Sequence, residues 1–328
     1  MGKSTVFATT RRTLPLLCAL MSSFTLSTVG SNETDLQLPP GSLDALRSAS
    51  RDGVVVVATL SWGMLSLFHN WQCSIKSNGL PSPAPLVFAQ DSPTYHHVLS
   101  LGYPAVLSAS SSDSHGLRLR DFRTDSYHAL VRDRLAFLLG ALSQGYNLLT
   151  VDVDAIWLRD PLSYIDTTVD ISAPLELQSS NLARPADGSP PTRGPEFCAC
   201  MLYLSATPRV VALLTAALGE LRDPKFEFNE QKVLSYLLLP AMARGTPWEG
   251  ITLKWLPKPE FPSGREYFGL HVHREPGYNE SERASVAVVH NNWVKSSGKV
   301  QRFKQSRMWY VQYPLRSTGR FRCVQPQS

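Results

Sequence analysis

The run Val54-Val55-Val56-Val57-Ala58-Thr59-Leu60 constrains this chain more than any other stretch. Four successive β-branched residues cannot alternate between core and solvent, so they predict a strand buried on both faces. Met64, Leu65, Phe68, Trp71 and Ile75 follow at helical spacing, with Ser61 placed to cap the helix and Asn78-Gly79 to end it. Leu86-Val87-Phe88-Ala89 is a second short apolar run. Strand, helix, strand at this separation is a right-handed crossover unit, which demands a parallel sheet with ligands bound at the strands' C-terminal ends. These residues read as an α/β fold, a Rossmann-like single domain with a mostly parallel central sheet.

Composition agrees with a sizeable core: 43% of the 328 residues are apolar and 18% charged. The net charge of +5 is mild and no long Lys/Arg run occurs, so no nucleic-acid partner is expected. Lys3, Arg11 and Arg12 precede an uncharged stretch from Thr13 to Asn32 whose apolar centre is Leu14 to Met21. That order reads as a secretory signal, and it leaves a cleaved signal peptide and a retained membrane anchor both open. The sequons at Asn32 and Asn279 fit a lumenal chain. Residues 1–30 are therefore assigned to the signal or anchor, 31–50 to a short stem, and 51–328 to one domain.

A helix is predicted from about Ser126 to Ser143, with Tyr127, Leu130, Val131, Leu135, Leu138, Leu139 and Leu142 as its stripe and Gly145 beyond it. Arg134 falls inside that stripe, where a guanidinium needs an anion; an ion pair within the fold and a ligand's phosphate serve equally well. Leu148-Leu149-Thr150-Val151 then leads into Asp152-Val153-Asp154. If the strand continues, Asp152 and Asp154 present two carboxylates on one face at the sheet's ligand-binding edge. Two such anions call for a cation, and hard oxygen ligands select Mn²⁺ or Mg²⁺, which complete their shell with substrate phosphates. Asp91, ending the second strand, suits either a nucleotide contact or the cap of the next helix. Thr59, near the end of the first strand, is a second candidate nucleotide contact.

The segment Gly145 to Pro161 (GYNLLTVDVDAIWLRDP) resembles the Asp-x-Asp block of a nucleotide-diphospho-sugar transferase family that includes the plant rhamnogalacturonan-II xylosyltransferases. Phe197 to Leu204, Asn229-Glu230-Gln231, Phe261 to Phe268 and Val288 to Trp293, with Lys299 and Arg302-Phe303 after them, match further blocks in the same order. The resemblance implies a GT-A fold and a retaining, metal-dependent transferase. Such an enzyme moves a pentose such as xylose or arabinose, or galactose, from a UDP-sugar to a glycan or glycoprotein acceptor in the Golgi lumen or after secretion. It implies Asp152, Asp154 and His290 as metal ligands, Arg134 and Lys299 beside the diphosphate, and Gln231, with Glu230 before it, beside the reacting sugar. Glu230 stands where the family usually has Asp, and the stretch before Lys299 is one residue shorter than in the plant enzymes.

Two other readings compete. A haloacid-dehalogenase-like phosphatase also places Asp-x-Asp after an apolar strand, with Asp152 as nucleophile, but it would not set a crossover unit first. A non-catalytic sugar-binding relative would have lost the ligands kept here. Trp157 and Trp293 read as core or site-wall packing and His96-His97 as surface. Cys73, Cys198, Cys200 and Cys323 suit two disulfides. Cys198 and Cys200, taken as neighbours on one strand, are expected to pair with distant partners. Zinc is disfavoured, because the one-residue gap between them has no Cys/His cluster beside it in the sequence.

Overall fold

The computed structural model describes residues 38–111, 125–181, 193–222, 229–272, 285–313 and 321–326. The N-terminal segment read as a signal or anchor and both sequons therefore lie outside the described residues. Val54–Leu60 (β1) and Leu86–Ala89 (β2) pair in parallel, Ala105–Leu107 (β3) adds to the outside of β2, and Asn147–Val151 (β4) pairs in parallel with β1 on the other side. Ala155–Trp157 (β5) leaves this sheet. Ile171–Asn181 (β6), Arg193–Phe197 (β7), Met201–Leu204 (β8) and Leu253–Leu256 (β9) complete it. The strand order is β3-β2-β1-β4-β8-β6-β7, with β9 paired to β6. Only β7 and β8 run against the rest, which makes the α/β sheet mostly parallel.

The buried-on-both-faces reading of β1 holds in detail. Val56, Ala58 and Leu60 face one apolar layer with Phe68, Trp71 and Trp157; Val55 and Val57 face the other with Phe88, Leu135 and Leu138. The helices Ser42–Ala49 (α1), Leu65–Ser77 (α2), Ser92–Ser100 (α3) and Asp125–Ser143 (α4) close these layers. Pro208–Arg222 (α5), Glu230–Leu237 (α6), Pro240–Ala243 (α7), Gly264–Val272 (α8) and Lys299–Gln305 (α9) follow, with Val288–His290 (β10), Val311–Gln312 (β11) and Arg322–Cys323 (β12). Each large apolar side chain so enclosed contributes about 1.5–3 kcal/mol. Gly145 takes φ 85° where α4 turns into β4, a backbone region that glycine enters without steric cost.

Three local expectations change. The segment read as a stem is helical from Ser42, and Ala45, Leu46 and Ala49 pack into the core, because three apolar residues at helical spacing suffice when a sheet face is waiting. Ser61 precedes a 3-10 turn, Trp62–Met64, rather than α2 itself, and makes no side-chain cap bond; Asp91 instead accepts from Trp62 N at 2.9 Å and from Thr94 N at 2.9 Å, so one carboxylate serves two helix starts. His97 is not a free surface residue, since its Nε2 lies 3.2 Å from Nε2 of the buried His69. Among the described residues, no helix is long and apolar enough to cross a membrane.

Candidate active site

β4 stops at Val151, and Asp152-Val153-Asp154 forms a turn rather than a continued strand. The turn is held at three points. Asp152 N donates to Cys200 O at 2.9 Å, Ala155 N donates to Asp152 O at 3.0 Å, and Asn291 N donates to Asp154 O at 2.9 Å. The two carboxylates thus do not share a strand face, as alternation would have it, yet the turn still brings them together. Directly afterwards β5 pairs antiparallel with β10, setting His290 opposite Ala155. That two-stranded ribbon carries the imidazole to the Asp pair across a large gap in sequence. His290 Nε2 lies 3.7 Å from Asp152 Oδ2 and 3.8 Å from Asp154 Oδ1. One ligand atom from each of the three lies within 4.8 Å of the others.

Gly264 supports this ribbon. A Cβ there would meet Asn292 O at 2.6 Å and His290 O at 2.7 Å, and its N–H donates to Asn292 Oδ1 at 2.6 Å. Any side chain at 264 would push the His290 segment away, so the glycine permits the close backbone approach.

Cations flank the carboxylates. Lys299, the first residue of α9, places its ammonium on Asp154 Oδ2. Burial works against the Asp154 charge, but Lys299 and then His290 outweigh it and hold the carboxyl below its usual range. Arg134 lies 3.4 Å from Asp152 Oδ1 and 3.4 Å from Glu230 Oε1, and donates to Thr150 Oγ1 and Ala199 O. Burial opposes the guanidinium's charge, yet Asp152 and Glu230 keep its pKa above normal. Burial raises the Glu230 carboxyl, with Arg134 pulling the other way. Arg134 therefore has the internal ion-pair partners that the stripe demanded, and both partners are themselves candidate site residues.

Gln231 is also engaged: its Oε1 accepts from Ala199 N at 3.0 Å and its Nε2 donates to Glu196 Oε1 at 2.6 Å. Thr59 lies one residue beyond the Ala58–Val151 pair, level with Asp152. Asp91 spends both oxygens on backbone N–H groups and is buried, which supplies the capping alternative. Two buried carboxylates went unnoticed in the sequence. Glu176 accepts from Asn292 Nδ2 and from Trp293 Nε1, and burial raises its pKa although His290 draws it down. Glu196 holds Gln231. An acid inside an otherwise apolar strand, as in Ala173-Pro174-Leu175-Glu176, was the available signal. Of the core and site-wall alternatives, Trp157 takes the first, fully buried, while Trp293 is 53% exposed and donates its Nε1–H to Glu176.

The four cysteines form two disulfides as expected, but the pairing of Cys198 and Cys200 with distant partners is overturned. Cys73 bonds to Cys323 and Cys198 bonds to Cys200. Cys198 to Cys200 is not a strand but the turn between β7 and β8, which brings their Cα atoms to 5.2 Å, inside the bonding range.

Two carboxylates and an imidazole make a donor set that suits Mn²⁺, with phosphate oxygens able to fill the rest of the shell. The arrangement as a whole offers a cation site with an Arg and a Lys on either side, at the end of a parallel strand. The nucleotide-diphospho-sugar transferase family matches residues 83–303. The Arabidopsis thaliana UDP-D-xylose:L-fucose alpha-1,3-D-xylosyltransferase 3 is 28% identical over 278 residues, 81% of this chain and 69% of that protein. The Arabidopsis thaliana UDP-D-xylose:L-fucose alpha-1,3-D-xylosyltransferase MGP4 is 25% identical over 299 residues, 87% of this chain and 77% of its own length. Among solved structures, the galactosyltransferase LgtC with donor and acceptor sugar analogs aligns with a TM-score of 0.44 at 13% identity, covering 79% of this chain and 97% of that one.

Proposed function

This chain belongs to the nucleotide-diphospho-sugar transferase family and is a glycosyltransferase, and from that premise we propose a retaining, Mn²⁺-dependent enzyme of GT-A type. It transfers a pentose such as xylose or arabinose, or galactose, from a UDP-sugar to a glycan or glycoprotein. The phosphatase alternative falls with the family match. The observation that carries the metal dependence is the convergence of Asp152, Asp154 and His290. A bound Mn²⁺ would neutralise charge on the departing diphosphate.

The remaining roles belong to this chain's own residues. Lys299 and Arg134 stand beside the carboxylates, positioned to exchange those contacts for phosphate oxygens and sugar hydroxyls. Glu230, locked by Arg134, and Gln231, locked by Ala199 and Glu196, line the position beyond Asp152 where the sugar would lie. Their fixed rotamers need no reorganisation on binding. The α-linkages in the xylosyltransferase relatives' names support retention, and those names support a pentose donor. The Cys73–Cys323 bond and the apolar N-terminal segment support passage through an oxidising compartment, the Golgi lumen or secretion, with membrane retention through that segment.

The test is hydrolysis of a panel of UDP-sugars by the purified protein, with and without Mn²⁺. Release of UDP from one pentose or galactose donor, abolished by EDTA and restored by Mn²⁺, is the expected result. Undiminished turnover in EDTA would end the metal-dependent reading.

A further inference from the structure

His290 stands between two donor sets of opposite chemical character. Its Nε2 faces the oxygens of Asp152 and Asp154, and its Nδ1 lies 3.1 Å from Cys198 Sγ. Cys198, Cys200 and His290 offer two sulfurs and one ring nitrogen within 4.8 Å of one another, and all three are buried. The partner that a Cys-x-Cys pair lacks in the sequence is thus supplied by the fold, 92 residues away. Thiolate sulfur and imidazole nitrogen favour Zn²⁺, whereas the carboxylate side of the same ring favours Mn²⁺ or Mg²⁺.

We propose that Cys198 and Cys200, once reduced, form with His290 Nδ1 a Zn²⁺ site that the disulfide closes. A dithiol reductant supplies two electrons and two protons, becoming a cyclic disulfide itself, while the Cys198–Cys200 bond breaks to two thiols. The freed sulfurs can then separate to the ~3.8 Å that two Zn–S bonds of ~2.3 Å span in a tetrahedron. Zn²⁺ displaces both thiol protons to solvent and forms two Zn–S bonds and one Zn–N bond, leaving a fourth position open. The ring proton then resides on Nε2, pointing at Asp152 and Asp154, so the nitrogen no longer offers them a lone pair. Occupancy of the sulfur site therefore withdraws a ligand from the carboxylate site. That inhibitory consequence rests on the proposed transferase reading; the binding itself does not.

The purified full chain is treated with dithiothreitol, freed of it under argon, and titrated with Co²⁺ and then Zn²⁺. The readout is the thiolate-to-cobalt charge-transfer absorption and its loss to Zn²⁺, with alkylation and peptide mapping to establish that the pair has opened. Reduced protein should show the band at one equivalent, and oxidised protein should not. Cys198→Ser, or Cys200→Ser if the first fails to fold, should weaken Zn²⁺ binding by about 100-fold or more. A mapped, reduced pair with no band, a band unchanged in the serine variant, or a pair that opens only when the chain unfolds would each overturn the proposal. Activity assays run in parallel should show Zn²⁺ inhibiting the reduced, Mn²⁺-loaded enzyme only. Inactivity toward every nucleotide sugar would sink the transferase reading while leaving the cobalt result standing, and an active enzyme without the band would sink this inference alone.

Discussion

Replacing Arg134 with Leu separates the two halves of what this residue does. Leu suits the apolar stripe of α4, so the packing loss is small, but two carboxylates lose their cation. Asp152, with 29% of its side chain exposed, can turn to water; Glu230, at 10%, cannot. Removing one partner of a buried pair costs about 3–5 kcal/mol, and most of that should fall on Glu230. The Glu230 carboxyl, already raised by burial, rises further without the guanidinium. A carboxyl whose folded pKa lies above its unfolded one loses stability as pH rises through that range, so the defect should be larger at pH 8 than at pH 5. Urea unfolding followed by fluorescence of the buried Trp71 and Trp157 measures it. Glu230→Leu in the same chain should rescue part of the loss, the double variant being more stable than the sum of singles by about 2 kcal/mol. Activity should not return, falling by about 10²-fold or more in both. An Arg134→Leu protein within about 0.5 kcal/mol of wild type, or a coupling near zero, would refute the ion-pair account.

Three more outcomes are expected. Asp152→Asn should lower sugar transfer by about 10²-fold while leaving the urea midpoint near wild type, and the Mn²⁺ dependence of the residual rate should weaken; full activity would remove Asp152 from the cation site. His69 is held at about 3 by burial and then by His97, against 6.5 when unfolded. Between those values the unfolded chain binds more protons, so stability falls as pH drops below about 6.5, by up to about 1.4 kcal/mol per unit. His69→Phe should flatten that slope, and urea midpoints from pH 7 to 4.5 decide it. Breaking the Cys73–Cys323 bond, which closes a separation of 250 residues, by changing both to Ser should cost about 2–5 kcal/mol at neutral pH; an unchanged midpoint would show that the bond constrains the unfolded chain little.

The local chemistry of this chain was legible without coordinates. Val54–Leu60, Leu86–Ala89 and Met201–Leu204 are strands with the ends that their apolar runs suggest, because burial on both faces leaves no polar position to blur the boundary. Arg134 was conspicuous for a similar reason: a charge in an apolar stripe must have a partner. What could not be read was who meets whom. Tertiary pairing of β5 with β10 delivers His290 to Asp152 and Asp154, and the same ring's other nitrogen to Cys198. The Asp pair sits on a turn because Cys200 O, in the turn before β8, and Asn291 N, just beyond β10, take up its backbone groups, which no local periodicity encodes. Cys198 bonds to Cys200 because the chain reverses between β7 and β8, and Ser42–Ala49 is a helix because a sheet face lies beneath it. Spacing in sequence sets which side chains share an element's face, but contacts between distant elements depend on loop closure and packing, which are properties of the whole chain.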